Sequence, residues 1–394
     1  MISRRSFLTW GGLALFAGSG VLGASADPLL NPLLLDCNSQ EHSQTLVVIF
    51  LRGGLDGMHA LVPYREQPYY KLRPNLAIPQ SALSLGNLEL DDNFALNPAL
   101  KSLKPHYAAG EMAAICAIGT SDRSRSHFQA QDFLEFGGET VRDGWLNRHL
   151  CENGVALSTH PQLPTLLKGQ NPVLNATDVQ DLMSMVKSSQ RVTGSSEIAK
   201  ASQEEEVFRR RLSKLKPPSD GVYPKTKMGR QLETVAHLLH QGVELQAVHC
   251  ELGGFDSHSR QVDGLWPGRL LGVNALLHEF SEAVDVFWRD LGELRENVTL
   301  LTVTEFGRRL AENGSLGTDH GFASCSFVLG GRVRGGQVYG RWPGLDPEQL
   351  IEGIDLDVTT DYRTLINEYT MATGGNRLFP EYRAKQKLGL FSTR

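Results

Sequence analysis

Short, almost unbroken apolar runs recur along the chain, separated by stretches with helical spacing. The runs are TLVVIFL at 45–51, EMAAICAIG at 111–119, VELQAVHC at 243–250, NVTLLTVT at 297–304 and SCSFVLGG at 324–331. A strand covered on both faces reads as such a run. Ahead of the third run, Met228 to His240 places Leu232, Val235, Leu238 and Leu239 on one helical face. Ahead of the fourth, Arg269 to Arg295 carries Leu270, Val273, Leu277, Phe280, Val284, Phe287, Leu291 and Leu294 at the spacing of a long amphipathic helix. Alternation of this kind predicts an α/β sandwich with a mainly parallel central sheet.

Two stretches break the rhythm. From about Val186 to Gly221 the chain is rich in Ser, Lys, Glu and Gln. This predicts an exposed polar excursion with a short helix near Glu204 to Leu215, not a separate domain. At the amino terminus, Arg4-Arg5 precede a weakly apolar stretch from Leu13 to Leu22 that is broken by Gly18 and Gly20. Ala24-Ser25-Ala26 then offers a small-residue cleavage pattern, with Asp27-Pro28 beyond it. A charged start, a short apolar middle and an A-x-A end predict a removable signal over 1–26, leaving 27–394 as a single domain. Ser3-Arg4-Arg5-Ser6-Phe7-Leu8 resembles the twin-arginine signal, whose cargo crosses the membrane already folded. The resemblance implies a periplasmic or secreted protein that meets the twin-arginine translocase during export and keeps no stable membrane span after cleavage.

Charge and cysteine usage narrow the picture further. The formal net charge of −5 becomes −7 once Arg4 and Arg5 are removed with the signal. A mildly acidic chain without a basic run gives no basis for nucleic-acid binding. The five cysteines, Cys37, Cys116, Cys151, Cys250 and Cys325, are scattered and lack the paired spacing of a zinc site or a disulfide framework. Cys116, Cys250 and Cys325 lie in apolar runs and are expected to pack in the core. Cys37 and Cys151 carry no signal.

Ligand sites in parallel α/β sheets form beyond the carboxyl ends of the strands. The first run is followed by RGGLDG with Asp56, the second by TSDRSRSHFQAQDF, the third by ELGGFDSHSRQ with Asp256 and His258, and the fourth by EFGRR with Glu305. GTDHG, with Asp319 and His320, precedes the fifth. Carboxylates and imidazoles set among glycines suit a divalent metal, and they leave zinc, manganese, calcium and magnesium all open. Each piece has a plainer reading. Asp56-Gly57 fits a turn, Asp256 and His258 fit a local hydrogen-bonded structure, and Glu305 fits a pair with Arg308 or Arg309. Their recurrence at successive strand ends is what points to a shared site. In RSRSHFQAQDFLE, Ser126 stands where a helix should begin. Ser124 or Ser126 serves there either as an N-cap or, for Ser126, as a nucleophile at the positive end of a helix. Arg123 and Arg125 suit an anionic group, and His127 is a ligand, an acid/base or a structural residue.

With these residues in view, the chain resembles the bacterial family catalogued as domain of unknown function 1501, whose members carry a twin-arginine signal. The likeness runs almost end to end through FLRGGLDGMHALVPY, YYKLRPNLAI, ALNPALKSL, RSHFQAQDFLE, GWLNRHL, GGFDSH, TEFGRRLAENGSLGTDHG and TTDYRTL. The family is in turn distantly similar to the alkaline phosphatase and sulfatase superfamily. That similarity implies a three-layer α/β sandwich of alkaline phosphatase type. It also implies Asp56 as a first-strand metal ligand, Ser126 as nucleophile, Asp256 and His258 on one metal, His320 as the last histidine ligand and Asp361 as a helix cap. Two departures stand out. Glu305-Phe306 replaces an Asp-His pair, so one imidazole is missing, and Asp256 and His258 are closer in sequence than the usual pair.

Two functions follow as expectations. One is an exported metal-dependent hydrolase of phosphate or sulfate esters. In it Asp56, Asp256, His258, Glu305 and His320 hold metal, while Ser126, His127 and Arg125 carry the chemistry on an anionic small molecule or glycan. The other is a non-catalytic exported binding or partner protein on the same scaffold.

Overall fold

The computed structural model describes residues 44–392 apart from 140, 152–153, 172, 189–222, 263–271 and 385. The expected signal segment, Cys37 and almost all of the expected excursion lie outside the described residues.

Among the described residues, eleven strands form in chain order. They are β1 (Thr45–Arg52), β2 (Leu61–Val62), β3 (Ala95–Leu96), β4 (Met112–Gly119), β5 (Val155–Ser158), β6 (Val173–Asn175), β7 (Leu245–Gly253), β8 (Val298–Val303), β9 (Ser324–Gly330), β10 (Val338–Tyr339) and β11 (Thr360–Asp361). All five runs expected to be strands are strands. β2 and β3 pair with each other, and the rest build one sheet in the order β10-β4-β9-β8-β1-β7-β5-β6, with β11 also on β4. Within it β9 runs antiparallel to β4 and β8, and every other pairing is parallel. The sheet is therefore mainly parallel, as the pattern predicts. Because β9 is reversed, its leading end lies on the same sheet edge as the trailing ends of its parallel neighbours.

The two faces are covered by different helices. Along β1, Val47, Ile49 and Leu51 enter one apolar cluster and Leu46, Val48 and Phe50 enter the other, as the two-residue period of a strand requires. The first cluster packs beneath the helices Lys227–His240 and Val273–Asp290, through Leu232, Val235, Leu277, Phe280, Val284 and Phe287. The second packs against Leu134, Trp145, Tyr362, Leu365 and Tyr369 from helices on the opposite side. This is a three-layer α/β sandwich. The predicted helix over Arg269 to Arg295 is shorter than expected: it spans Val273–Asp290, and a 3-10 turn, Gly292–Asn297, carries the chain into β8. Asp361 caps the helix Tyr362–Ala372 by accepting from the Arg363 amide.

Cys116, Cys250 and Cys325 are free and buried, whereas Cys151, silent in the sequence, is disulfide-bonded. Among the described residues no helix is long and apolar enough to cross a membrane.

The burial of the helix Val273–Asp290 yields a direct test. Leu277 is 0% exposed, and its replacement by alanine is expected to lower stability by about 2–5 kcal/mol in urea unfolding. Leu85 is 90% exposed, so Leu85→Ala is expected to stay within about 0.5 kcal/mol of wild type. Equal effects of the two substitutions would contradict this layering.

Candidate metal centre

The residues that lead away from this sheet edge come from four segments. β4 leads to the helix His127–Phe136, β7 leads to Asp256 and His258, β8 leads to Glu305, and Asp319 and His320 arrive just before β9. Two glycines let the segments close up. Gly53 has φ of +116°, and a Cβ there would lie 2.5 Å from the Asp256 amide nitrogen. A Cβ on Gly317 would lie 2.3 Å from the His258 carbonyl carbon.

Three imidazoles surround Asp256, and each is held from behind. His127 Nδ1 lies 2.9 Å from Glu305 Oε1, His258 Nδ1 lies 3.0 Å from Asp319 Oδ1, and His320 Nδ1 lies 2.9 Å from the Arg125 carbonyl oxygen. Carbonyl and carboxylate oxygens only accept, so each Nδ1 carries the hydrogen and each Nε2 keeps its lone pair. All three Nε2 atoms turn inward. They lie 3.4 Å (His127), 3.2 Å (His258) and 3.1 Å (His320) from the Asp256 carboxylate.

Donor chemistry of this kind fits a cation. Ligand atoms of His127, Asp256 and His320 lie within 4.8 Å of one another. His127 Nε2 is buried without a hydrogen-bond partner. The Nε2 atoms of His258 and His320 approach to 2.9 Å, a contact with no hydrogen between two neutral rings so oriented. Imidazoles fixed at Nδ1 by a carboxylate or carbonyl are the usual arrangement behind metal-ligating histidines.

The electrostatics follow from these partners. Burial pushes the Asp256 carboxyl up, but chiefly the hydrogen bond and charge of Arg308 bring it down to about 2. The bond to Glu305 raises His127 against the pull of burial. Burial lowers His320. Glu305 is raised by burial, yet its bonds from His127 and Gln131 hold it below the usual range. The bond from His258 lowers Asp319.

Several expected roles are redistributed. Asp256, His258 and His320 stand together with His127, which supplies a further imidazole where the sequence comparison implied a deficit. Asp56 does not join them. Its carboxylate is 1% exposed, bonded twice by Arg73 at 2.7 and 3.1 Å and once by Gln261 at 2.6 Å. Its oxygens, expected to face a metal, are thus already engaged by Arg73 and Gln261. Glu305 also stays outside the ligand group. It accepts from the Gly53 amide, Gln131 and His127, and so holds a histidine instead of a metal. It pairs with neither Arg308 nor Arg309; Arg308 instead donates to Asp256 at 2.6 Å. The Arg125 guanidinium bonds Asp355 through Nη2 and lies over the Phe322 ring, with Nε left without a partner among the described residues, while the Arg125 carbonyl holds His320. Arg123 lies over the same ring, 3.7 Å from Asp357. Ser126 is the N-cap residue of its helix but makes no side-chain cap bond. The sequence offered no signal for Gln131, Gln261 or Arg73, and cast Arg308 only as a partner for Glu305.

A family model described as "Protein of unknown function (DUF1501)" matches residues 169–376, more than half of the chain. No curated protein matches the chain. Among solved structures, the C-terminal periplasmic domain of EcEptC from Escherichia coli in complex with Zn is similar at 11% identity over 73% of this chain and 72% of that one, with a TM-score of 0.36. The soluble domain of lipooligosaccharide phosphoethanolamine transferase A from Neisseria meningitidis is similar at 12% identity, over 73% and 76%, with a TM-score of 0.33. Alkaline phosphatase from the Antarctic bacterium TAB5 is similar at 10% identity, over 73% and 92%, with a TM-score of 0.29.

The depressed Asp256 carboxyl gives a pH prediction. Its pKa of about 2 lies below the ordinary 3.8, so the ionised group contributes stability that is full above the ordinary value and lost as pH falls through the folded one. In chelator-treated protein, the gap in urea midpoint between wild type and Asp256→Asn is expected to shrink as pH falls from about pH 4 to 2. A gap that widens with acidification would contradict the assignment.

Proposed function

The chain belongs to the DUF1501 family of proteins of unknown function, and from that premise we propose that it is an exported, metal-dependent hydrolase of phosphate or sulfate esters. The observation that carries the reading is the convergence of the His127, His258 and His320 Nε2 atoms on the Asp256 carboxylate, each ring fixed through Nδ1. A divalent cation would be held by His127, Asp256 and His320, with His258 Nε2 beside them, and would supply Lewis acidity toward an ester oxygen and positive charge for the transition state. Imidazole-rich donors favour zinc over magnesium or calcium.

The chain's own groups do the rest. Arg308 fixes one Asp256 oxygen and leaves the other facing His127. Glu305 and Gln131 lock the start of the helix His127–Phe136 over the site. The unpaired amides of that helix's first turn favour an anion beside them. Ser126 Oγ, unused as a cap, is the proposed nucleophile: it gives up its proton to solvent and bonds phosphorus or sulfur as the ester oxygen departs and takes a proton from water. A second water then cleaves the seryl ester to release phosphate or sulfate and restore the hydroxyl. His127 acts as a ligand in this reading, since its Nε2 is turned toward Asp256. The substrate is an anionic small molecule or glycan ester. The disulfide at Cys151 fits an oxidising compartment and with it the proposed twin-arginine export of a single domain over 27–394.

A second reading, binding without turnover, draws on Asp56. Its closure by Arg73 removes a carboxylate that a fuller centre would use.

The test is metal content by mass spectrometry on protein prepared without chelator or affinity metal, with a panel of aryl phosphates and sulfates. One metal per chain is expected, lost in His258→Ala and His320→Ala. Hydrolysis is expected to fall by at least about 100-fold in Ser126→Ala while the metal stays bound. A folded wild type that takes up no metal on titration would sink both the centre and the hydrolase. A metal-loaded protein that cleaves none of the esters would favour the second reading.

A further inference from the structure

We infer that Gln261 is a positioning residue for this centre: its buried amide ties the Asp56–Arg73 ion pair to the two loops that carry His258 and His320. The inference rests on the metal-centre reading above and adds a group that touches none of the ligands.

The two loops are 254–261, with Asp256 and His258, and 313–320, with Asp319 and His320. Gln261 is 1% exposed. Its Nε2 donates to Asp56 Oδ2 at 2.6 Å. Its Oε1 accepts from Ser257 Oγ at 3.0 Å and from Thr318 Oγ1 at 2.6 Å. Ser257 lies between Asp256 and His258, and Thr318 lies two residues before His320. The carboxylate on one side accepts and the hydroxyls on the other donate, so the amide has a single workable orientation. Backbone bonds complete the seam. Arg260 and Gln261 amides donate to the Ser315 and Leu316 carbonyls, and the Thr318 amide donates to the Ser257 carbonyl.

Asp56 anchors the far side. Arg73, fully buried, bonds both of its oxygens and also donates to the Arg309 and Leu310 carbonyls. The anchor therefore grips the chain just after Arg308, the partner of Asp256. His258 and His320 are held in register by a chain of bonds that begins at the aspartate which does not bind metal. Breaking it frees two loops whose Nε2 atoms sit 2.9 Å apart, where small displacements are felt strongly by a cation.

The experiment is zinc titration and hydrogen exchange by mass spectrometry on the full chain, for wild type, Gln261→Leu, Thr318→Val and Thr318→Ser. In the first two variants, peptides covering the two loops are expected to exchange faster while β1 and β7 stay protected, and zinc binding is expected to weaken by about 10–100-fold. Thr318→Ser, which keeps the hydroxyl, is expected to restore both. Unchanged loop exchange in Gln261→Leu and Thr318→Val would overturn the inference. So would faster exchange spread evenly over the sheet with zinc affinity intact, because that describes a general loss of stability. If Gln261→Leu fails to fold, Thr318→Val against Thr318→Ser decides. If wild type takes up no zinc, the metal reading fails on its own, and the exchange pattern still decides whether Gln261 orders the loops.

Discussion

The guanidinium of Arg308 is the point at which the separate strand ends become one site. It is wholly buried and uses every arm: Nε on the Gly54 carbonyl, Nη1 on Thr318, and Nη2 on Gly53, Phe255 and the Asp256 carboxylate. Those partners belong to the exit of β1, the exit of β7 and the approach to β9. A buried charge is tolerated only when fully hydrogen-bonded and paired, so these three backbones cannot drift apart without exposing an unpaired cation. Asp256 is its one charged partner among the described residues, and that fixes where the carboxylate sits: Oδ1 is shared by Arg308, His258 and His320, and Oδ2 faces His127.

The fold was largely readable because the signal for it is local. β1, β4, β7, β8 and β9 are buried on both faces, and such burial writes an unbroken apolar run into the chain. β5, β6, β10 and β11 are two to four residues long, too short to show any period. The site was readable in part. Asp256, His258 and His320 stand out among glycines, and His127 follows the serine of a helix start. What the sequence does not show is which atoms are already taken. Asp56 and Glu305 look like ligands in a list of strand-end carboxylates, and both are consumed by partners brought in by the fold: Arg73 for one, His127 and Gln131 for the other. Nothing in the local sequence around RGGLDG announces Arg73, and nothing in EFGRR says that Arg308 reaches across to Asp256 and passes Glu305 by.

Asp56 and Asp256 together show how one fold turns the same residue to opposite ends. Each follows a strand of the same parallel sheet, and each is paired to a buried arginine. At Asp56 the guanidinium takes both oxygens and Gln261 adds a third bond, with the His59 amide on the side. The desolvation that would raise this carboxyl is outweighed by the Arg73 charge, and it stays ionised. At Asp256 the arginine takes one oxygen, and the side chain remains 45% exposed. A guanidinium does not exchange with solvent ions and does not titrate in the working range. The Asp56 end is therefore a permanent charge pair, suited to carrying mechanical order into the loops. The Asp256 end stays half exposed beside three imidazoles, and it is the end that the proposed cation would use. Order is set on one side of Gln261 and reactivity on the other, and the amide between them is neutral, so it transmits position without adding charge to either.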